Sequence, residues 1–155
     1  MLVTIAERGV VLVEPRSFTG LMTLYETNFL RLRWLLGDPA RLPLHAVSVA
    51  ADDLPLHLRV LERAPYTTVI HLTYWFPAGA CLAADPDLTV RVYRDARLAE
   101  ACACAPRPHH RALSPYARAA SGALEQRWIM NVMLGKWLDF LLASDHQLAG
   151  RRAGR

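Results

Sequence analysis

Lysine is almost missing from this chain: Lys136 is the single lysine among 18 basic residues in a length of 155. A surface that tracks nucleic-acid phosphates gathers its cations on one face, and here the arginines are scattered. The formal net charge of +4 owes most of its excess to Arg151, Arg152 and Arg155 at the extreme C-terminus. So weak a balance permits an anionic partner without arguing for one. Cysteine is scarce and odd in number, with Cys81, Cys102 and Cys104. No disulfide framework follows from that, and reduced thiols in a cytoplasmic protein are expected. No apolar run approaches the ~18 residues that a spanning helix needs, so no membrane partner is expected. Glu7, Arg8 and Gly9 interrupt the apolar N-terminus, which therefore does not read as a signal peptide. A glycine-rich phosphate loop, a Gly-x-Ser-x-Gly elbow and a His-Glu-x-x-His pair are all absent. Ser48, Ser114, Ser121 and Ser144 carry no local nucleophile signature, and nothing calls for a cofactor.

What is present suffices for a core. Hydrophobic residues make up 53% of the chain and charged ones 21%, which fits one globular domain over 1–155. Residues 1–15 read as an arm or short hairpin, and 149–155 as a disordered tail. Phe18, Leu21, Met22, Tyr25, Phe29, Leu32, Leu35 and Leu36 recur at spacings of three and four. That predicts a helix over Ser17–Leu36, capped by Ser17 and stopped by Gly37-Asp38-Pro39. Period-two patterning predicts strands at Leu44–Ala50, Leu56–Arg63, Tyr66–Phe76, Leu88–Tyr93 and Leu98–Cys104, with a loop over Pro77–Pro86. Short connections make the strands antiparallel neighbours. Pro106–Ala120 reads as a long connection, and Ser121–Leu148 as a second helix ended by Gly150. The expected fold is α+β: an antiparallel meander of about five strands, with two long amphipathic helices on one face.

Several blocks, in order, resemble a known family. Glu26-x-Asn28-Phe29 is followed by Leu32-Arg33-Trp34-Leu35-Leu36; then come Tyr66-Thr67-Thr68, the run Val90–Glu100, Asn131, and Trp137-Leu138. They are similar to the YqiB-like bacterial family, a domain of unknown function, over about residues 18–146. The resemblance implies membership and no particular reaction. Arg94 stands where the family commonly has histidine, and Ala117-Arg118 where it has Pro-Asn. No role for that histidine carries over to this chain.

The candidate ligand or partner residues are Glu26, Asn28, Arg33, Tyr66, Arg91, Tyr93, Asp95, Glu100 and Asn131. Glu26 and Arg33, seven apart, share a helix face and could reach Arg91, Glu100 or Asn131 across a polar seam. Asp95 fits a hairpin turn better than an active site. Cys102-x-Cys104 with His109-His110 has metal-capable side chains, but the spacing matches no zinc knuckle, so no metal is assigned. The outward positions His57, Arg59, Thr67, His71, Thr73, Arg91 and Tyr93, with Trp75, make a mixed polar sheet face. Such faces can hold nucleic acid, yet alternating aromatics and lysine clusters are lacking. The reading is therefore a cytoplasmic accessory module, without catalysis, that binds an unknown protein partner or a second copy of itself. The alternative is a small-ligand binder or enzyme with a polar site between the first helix and the sheet.

Overall fold

The computed structural model of the protein describes residues 2–6, 9–13, 16–104 and 122–148. The expected connection over 106–120, with His109 and His110, and the tail over 149–155 lie outside the described residues. The N-terminal segment forms a hairpin: β1 (Leu2–Ala6) pairs antiparallel with β2 (Gly9–Val13).

Helix α1 (Phe18–Leu36) begins where the sequence places its cap. The Ser17 side chain accepts the Gly20 N–H, 2.9 Å away, and satisfies one of the orphan donors of the first turn. Gly37, at φ 73°, ends the helix and returns its N–H to the Arg33 carbonyl. Phe18, expected on the apolar stripe, is exposed. Leu21, almost one turn on, is the first stripe residue to be buried.

The main sheet is an antiparallel meander in sequence order: β3 (His45–Ser48), β4 (Leu56–Arg63), β5 (Thr67–Ala78), β6 (Cys81–Tyr93) and β7 (Leu98–Cys104). The predicted Pro77–Pro86 loop is instead a hairpin extension. β5 and β6 run on past the expected ends and turn tightly at Gly79, φ 63°, with Ala78 opposite Cys81. Proline usually demotes a strand reading. Here Pro77 lies opposite Leu82 near the hairpin tip, and Pro86 falls where the register shifts between Thr73 and Trp75. β3 is shorter than expected, and Thr73, expected on the open face, is buried.

Leu56, Leu58, Val60, Ile70, Leu72, Leu88, Val90 and Val92 point to one side and form the core with Leu32 and Leu35 of α1. The other wall is α2 (Ala123–Ala143), through Leu134, Trp137, Leu138 and Leu141. α2 ends earlier than the expected Leu148, at Ser144. Asp145 takes φ 60°, its N–H bonds to the Leu142 carbonyl (3.2 Å), and the His146 N–H bonds to the Leu141 carbonyl (3.1 Å). This is a Schellman turn with aspartate in the left-handed position. The chain then folds back, and the Leu148 N–H reaches the Leu35 carbonyl of α1 at 2.8 Å.

Candidate functional site

The β6–β7 hairpin brings three of the candidate residues together. Register sets Arg91 opposite Glu100 and Tyr93 opposite Leu98. The Tyr93 hydroxyl donates to Glu100 Oε1 at 2.7 Å, and Arg91 Nη1 lies 3.8 Å from the same oxygen. From α2, Arg127 Nη1 donates to Glu100 Oε2 at 3.4 Å. Glu100 is only 8% exposed, whereas the Arg91 and Arg127 side chains are 45% and 59% exposed. A buried carboxylate ringed by donors meets two guanidiniums that turn to solvent. A cavity of about 400 Å³ opens beside them, lined by Arg91, Glu100, Cys102, Gln126, Arg127 and Met130.

The electrostatics hold the protons of the cluster's phenols and thiol in place. Burial, reinforced by the Glu100 carboxylate, raises the Tyr93 phenol, and burial raises Tyr25 of α1, which also meets Arg127 and Glu100. Burial likewise raises the Cys102 thiol. Both phenols and the thiol therefore hold their protons at neutral pH and offer neither a base nor a thiolate. A hydrogen bond with Tyr93 raises Arg91, and one with Tyr25 raises Arg127, so the cluster keeps its cations. Such a site can hold an anionic group between two guanidiniums.

Asn28 and Asn131 meet elsewhere, in the seam between the helices. Asn28 Nδ2 donates to the Asn131 carbonyl at 3.0 Å and its Oδ1 accepts from Arg31 Nη1 at 3.3 Å. Arg31 also grips Asp139 through Nε at 2.7 Å and Nη2 at 3.3 Å. Asn131 Oδ1 accepts the Ala101 N–H of edge strand β7 at 2.8 Å, and its Nδ2 donates to the Arg127 carbonyl. These bonds satisfy buried polar groups and fix α1, α2 and β7 together. Glu26 and Arg33 are exposed on α1, the latter 3.7 Å from Asp38, and do not join the seam. Tyr66 is exposed at the β4–β5 turn, and Asp95 is exposed in the β6–β7 turn. Arg94, in the position the family commonly gives to histidine, donates to the Ala64 carbonyl at 2.7 Å and to that of Pro65, clamping the β4–β5 turn.

The face of the sheet opposite the core carries no helix among the described residues. Two cross-strand rungs run across it: His45, Arg59, His71 and Thr89, then Val47, His57, Thr73 and Asp87. His71 bonds Asp87 between the rungs. A trough of about 420 Å³ lies here, lined by His45, His57, Arg59, Leu61, His71 and Trp75. Trp75 is 41% exposed, with Leu61 and Val47 exposed nearby.

Sequence reasoning missed Tyr25, counted only as apolar, and Arg127, Arg31, Asp139, His45 and Asp87. Arg127 lies four residues before Asn131, so the two share one face of α2; that spacing was the available signal. Cys102 is exposed, and among the described residues no three His, Cys, Asp or Glu side chains group as metal ligands do.

Residues 31–147 match the family described as "Protein of unknown function (DUF1249)". The chain belongs to the DUF1249 family. It is 31% identical over 127 residues to "Uncharacterized protein YqiB" of Escherichia coli strain K12, covering 82% of this chain and 89% of that one. The proteins of the same description from strains CFT073 and O157:H7 match to the same extent. No solved structure matches. The span shared with DUF1249 begins inside α1 and takes in the whole sheet, the Glu100 cluster and α2. Among the described residues no helix is long and apolar enough to cross a membrane.

Proposed function

We propose that this DUF1249 chain is a cytoplasmic accessory module that docks an acidic protein surface on the bare face of its sheet. The observation that carries the reading is the trough around Arg59. Exposed Trp75 and Leu61 sit among three imidazoles and a guanidinium, on a face that neither helix covers. Aromatic and arginine side chains at the centre of a polar-rimmed patch are the usual anchors of protein interfaces. Contiguous exposed apolar groups on a folded domain also mark contact surfaces. Arg59 supplies the charge, while Asp87, the trough's carboxylate, is already engaged by His71. An acidic partner is complementary to that balance. Nucleic acid fits less well, since the face has no lysine and Arg59 is the trough's one guanidinium.

The test is mild purification of the tagged chain from its bacterial host, run in parallel with a Trp75→Ala/Arg59→Glu double variant and with Leu124→Ala on exposed α2 as control. The expected result is one near-stoichiometric acidic protein with the parent and the control, reduced at least tenfold with the double variant. A partner retained equally by all three, or no partner with the parent, overturns the reading. The Arg91–Arg127 cavity favours a second reading, a small anionic ligand held between two guanidiniums. It predicts thermal stabilisation by a small di- or tricarboxylate such as citrate, which Arg127→Gln abolishes and the trough double variant leaves intact.

A further inference from the structure

The Schellman turn that ends α2 drives His146 inward, where its side chain is fully buried. On one side its Nε2 lies 3.1 Å from Asp53 Oδ2. On the other its Nδ1 lies 3.1 Å from Ser48 Oγ, at the end of β3. Asp53 is itself held: Oδ1 accepts the Leu54 N–H at 2.8 Å, and Oδ2 accepts the Tyr74 hydroxyl. Burial and that carboxylate raise the Tyr74 phenol, which stays a donor. A carboxylate can only accept, so the ring nitrogen facing it carries the hydrogen and Nδ1 is left to accept from the Ser48 hydroxyl. Hydroxyl, imidazole and carboxylate thus stand in the order that activates a serine. That arrangement is recognised by geometry and roles, and here Nδ1 faces the serine and Nε2 the carboxylate, the reverse of the usual triad. Ser48 is 4% exposed and lies in the wall of a cleft of about 320 Å³. The lining mixes Ala46, Val47, Val49 and Leu148 with the polar Asp145 and Gln147, and the Gln147 N–H donates to Ser48 Oγ at 3.0 Å.

We infer that Ser48, His146 and Asp53 form an acyl-transfer site that hydrolyses a small carboxylic ester. Ser48 Oγ attacks the acyl carbon, and its proton passes to His146 Nδ1. The tetrahedral intermediate collapses, the bond to the leaving oxygen breaks, and His146 returns the proton to the departing alcohol. Water then attacks the acyl-serine and gives a proton to His146. The carboxylic acid leaves, and that proton restores the Ser48 hydroxyl. The Gln147 N–H donates to Ser48 Oγ and holds the hydroxyl in place beside the imidazole. Asp53 is a positioning residue, fixing the ring tautomer and stabilising the imidazolium. The site lies on the core side of β3, away from the trough of the bare face, so the two readings stand or fall separately.

The same hydrogen bonds also fasten the end of α2 to β3, and the experiment separates that role from chemistry. The purified full chain is treated with diisopropyl fluorophosphate, and its adducts are located by peptide mapping. The expected result is a single adduct on Ser48, lost in Ser48→Ala. The labelling rate should fall at least tenfold in folded Asp53→Asn, with a changed pH profile, and p-nitrophenyl acetate hydrolysis should disappear once Ser48 is labelled. No adduct on the folded parent, or an adduct only elsewhere, overturns the site. Labelling of Ser48 at the parental rate in folded Asp53→Asn overturns the triad. Should Asp53→Asn fail to fold, His146→Gln takes its place under the same two outcomes.

Discussion

Gly135 shows how closely the two helices are fitted. A Cβ there would stand 2.9 Å from Asn28 Oδ1 and 3.4 Å from Arg31 Nη1. Neither neighbour can yield easily, because Asn28 is tied to the Asn131 carbonyl and Arg31 is forked onto Asp139. Gly135→Ala should therefore destabilise the fold, against the usual helix preference for alanine, by about 1–3 kcal/mol as overpacking does. Denaturant melts of the two proteins measure it, and equal midpoints would mean that the seam can open without cost. The seam also marks what could be read at this scale. Asn28 and Asn131 stood out as members of the blocks that resemble the family. Arg31, which bonds Asn28, and Asp139, which Arg31 grips in turn, looked like ordinary surface charges, because the Arg31–Asp139 contact spans 108 positions and leaves no local pattern. The converse holds for Glu26 and Arg33, whose shared helix face suggested a site and turned out to face solvent. Ser48, His146 and Asp53 were invisible for the same reason: no spacing rule joins a strand end, a turn and the residue after a helix.

Element ends were legible where backbone chemistry decides them and obscure where packing does. Ser17 and Gly37 bound α1 as expected, since a hydroxyl cap and a left-handed glycine act locally. α2 gave no such signal. It stops at a Schellman turn whose left-handed residue is Asp145, and the expected stop at Gly150 was the more familiar residue in the wrong place. An L-residue in that conformation is strained, and a carboxylate at a helix C-terminus faces the negative end of the dipole. Asp145 is exposed. Asp145→Gly should then stabilise the protein by about 0.5–1 kcal/mol, read as a higher denaturant midpoint with an unchanged slope. A lower midpoint would show that the carboxylate has a use at this turn. The β5–β6 extension was missed because Pro77 and Pro86 read as breakers, although a hairpin tip and a register shift both accommodate proline.

Taken whole, the molecule has one face of its sheet sealed under two helices and the other face free of any helix among the described residues, and its buried phenols belong to the sealed side and its rim. Tyr74 lies fully inside the core, Tyr25 beneath the Arg127–Glu100 pair, and Tyr93 half-buried against Glu100. Burial is the main cause that lifts all three above their ordinary value of 10.0, and it lifts Cys102 above 9.0. The folded chain holds these protons while the unfolded chain releases them, so above those values the unfolded state binds fewer protons and stability falls with rising pH. The contribution is complete well below pH 10.0 and erodes through the tyrosines once pH passes that value, while exposed Cys102 adds little because solvent screens it. Each fully buried group costs at most about 1.4 kcal/mol per pH unit. Tyr74 approaches that limit, and Tyr93 contributes less because solvent screens it. Arg91 and Arg127 are raised above the ordinary guanidinium value by their phenol partners and stay charged throughout this window. Urea melts in steps from about pH 8 to about pH 11 should show a plateau and then a decline. In Tyr74→Phe the decline should be shallower by up to one proton's worth, even though the variant starts less stable for want of the Asp53 hydrogen bond. Equal slopes in the two proteins would mean that Tyr74 ionises within the folded core, which its burial beside the Asp53 carboxylate forbids.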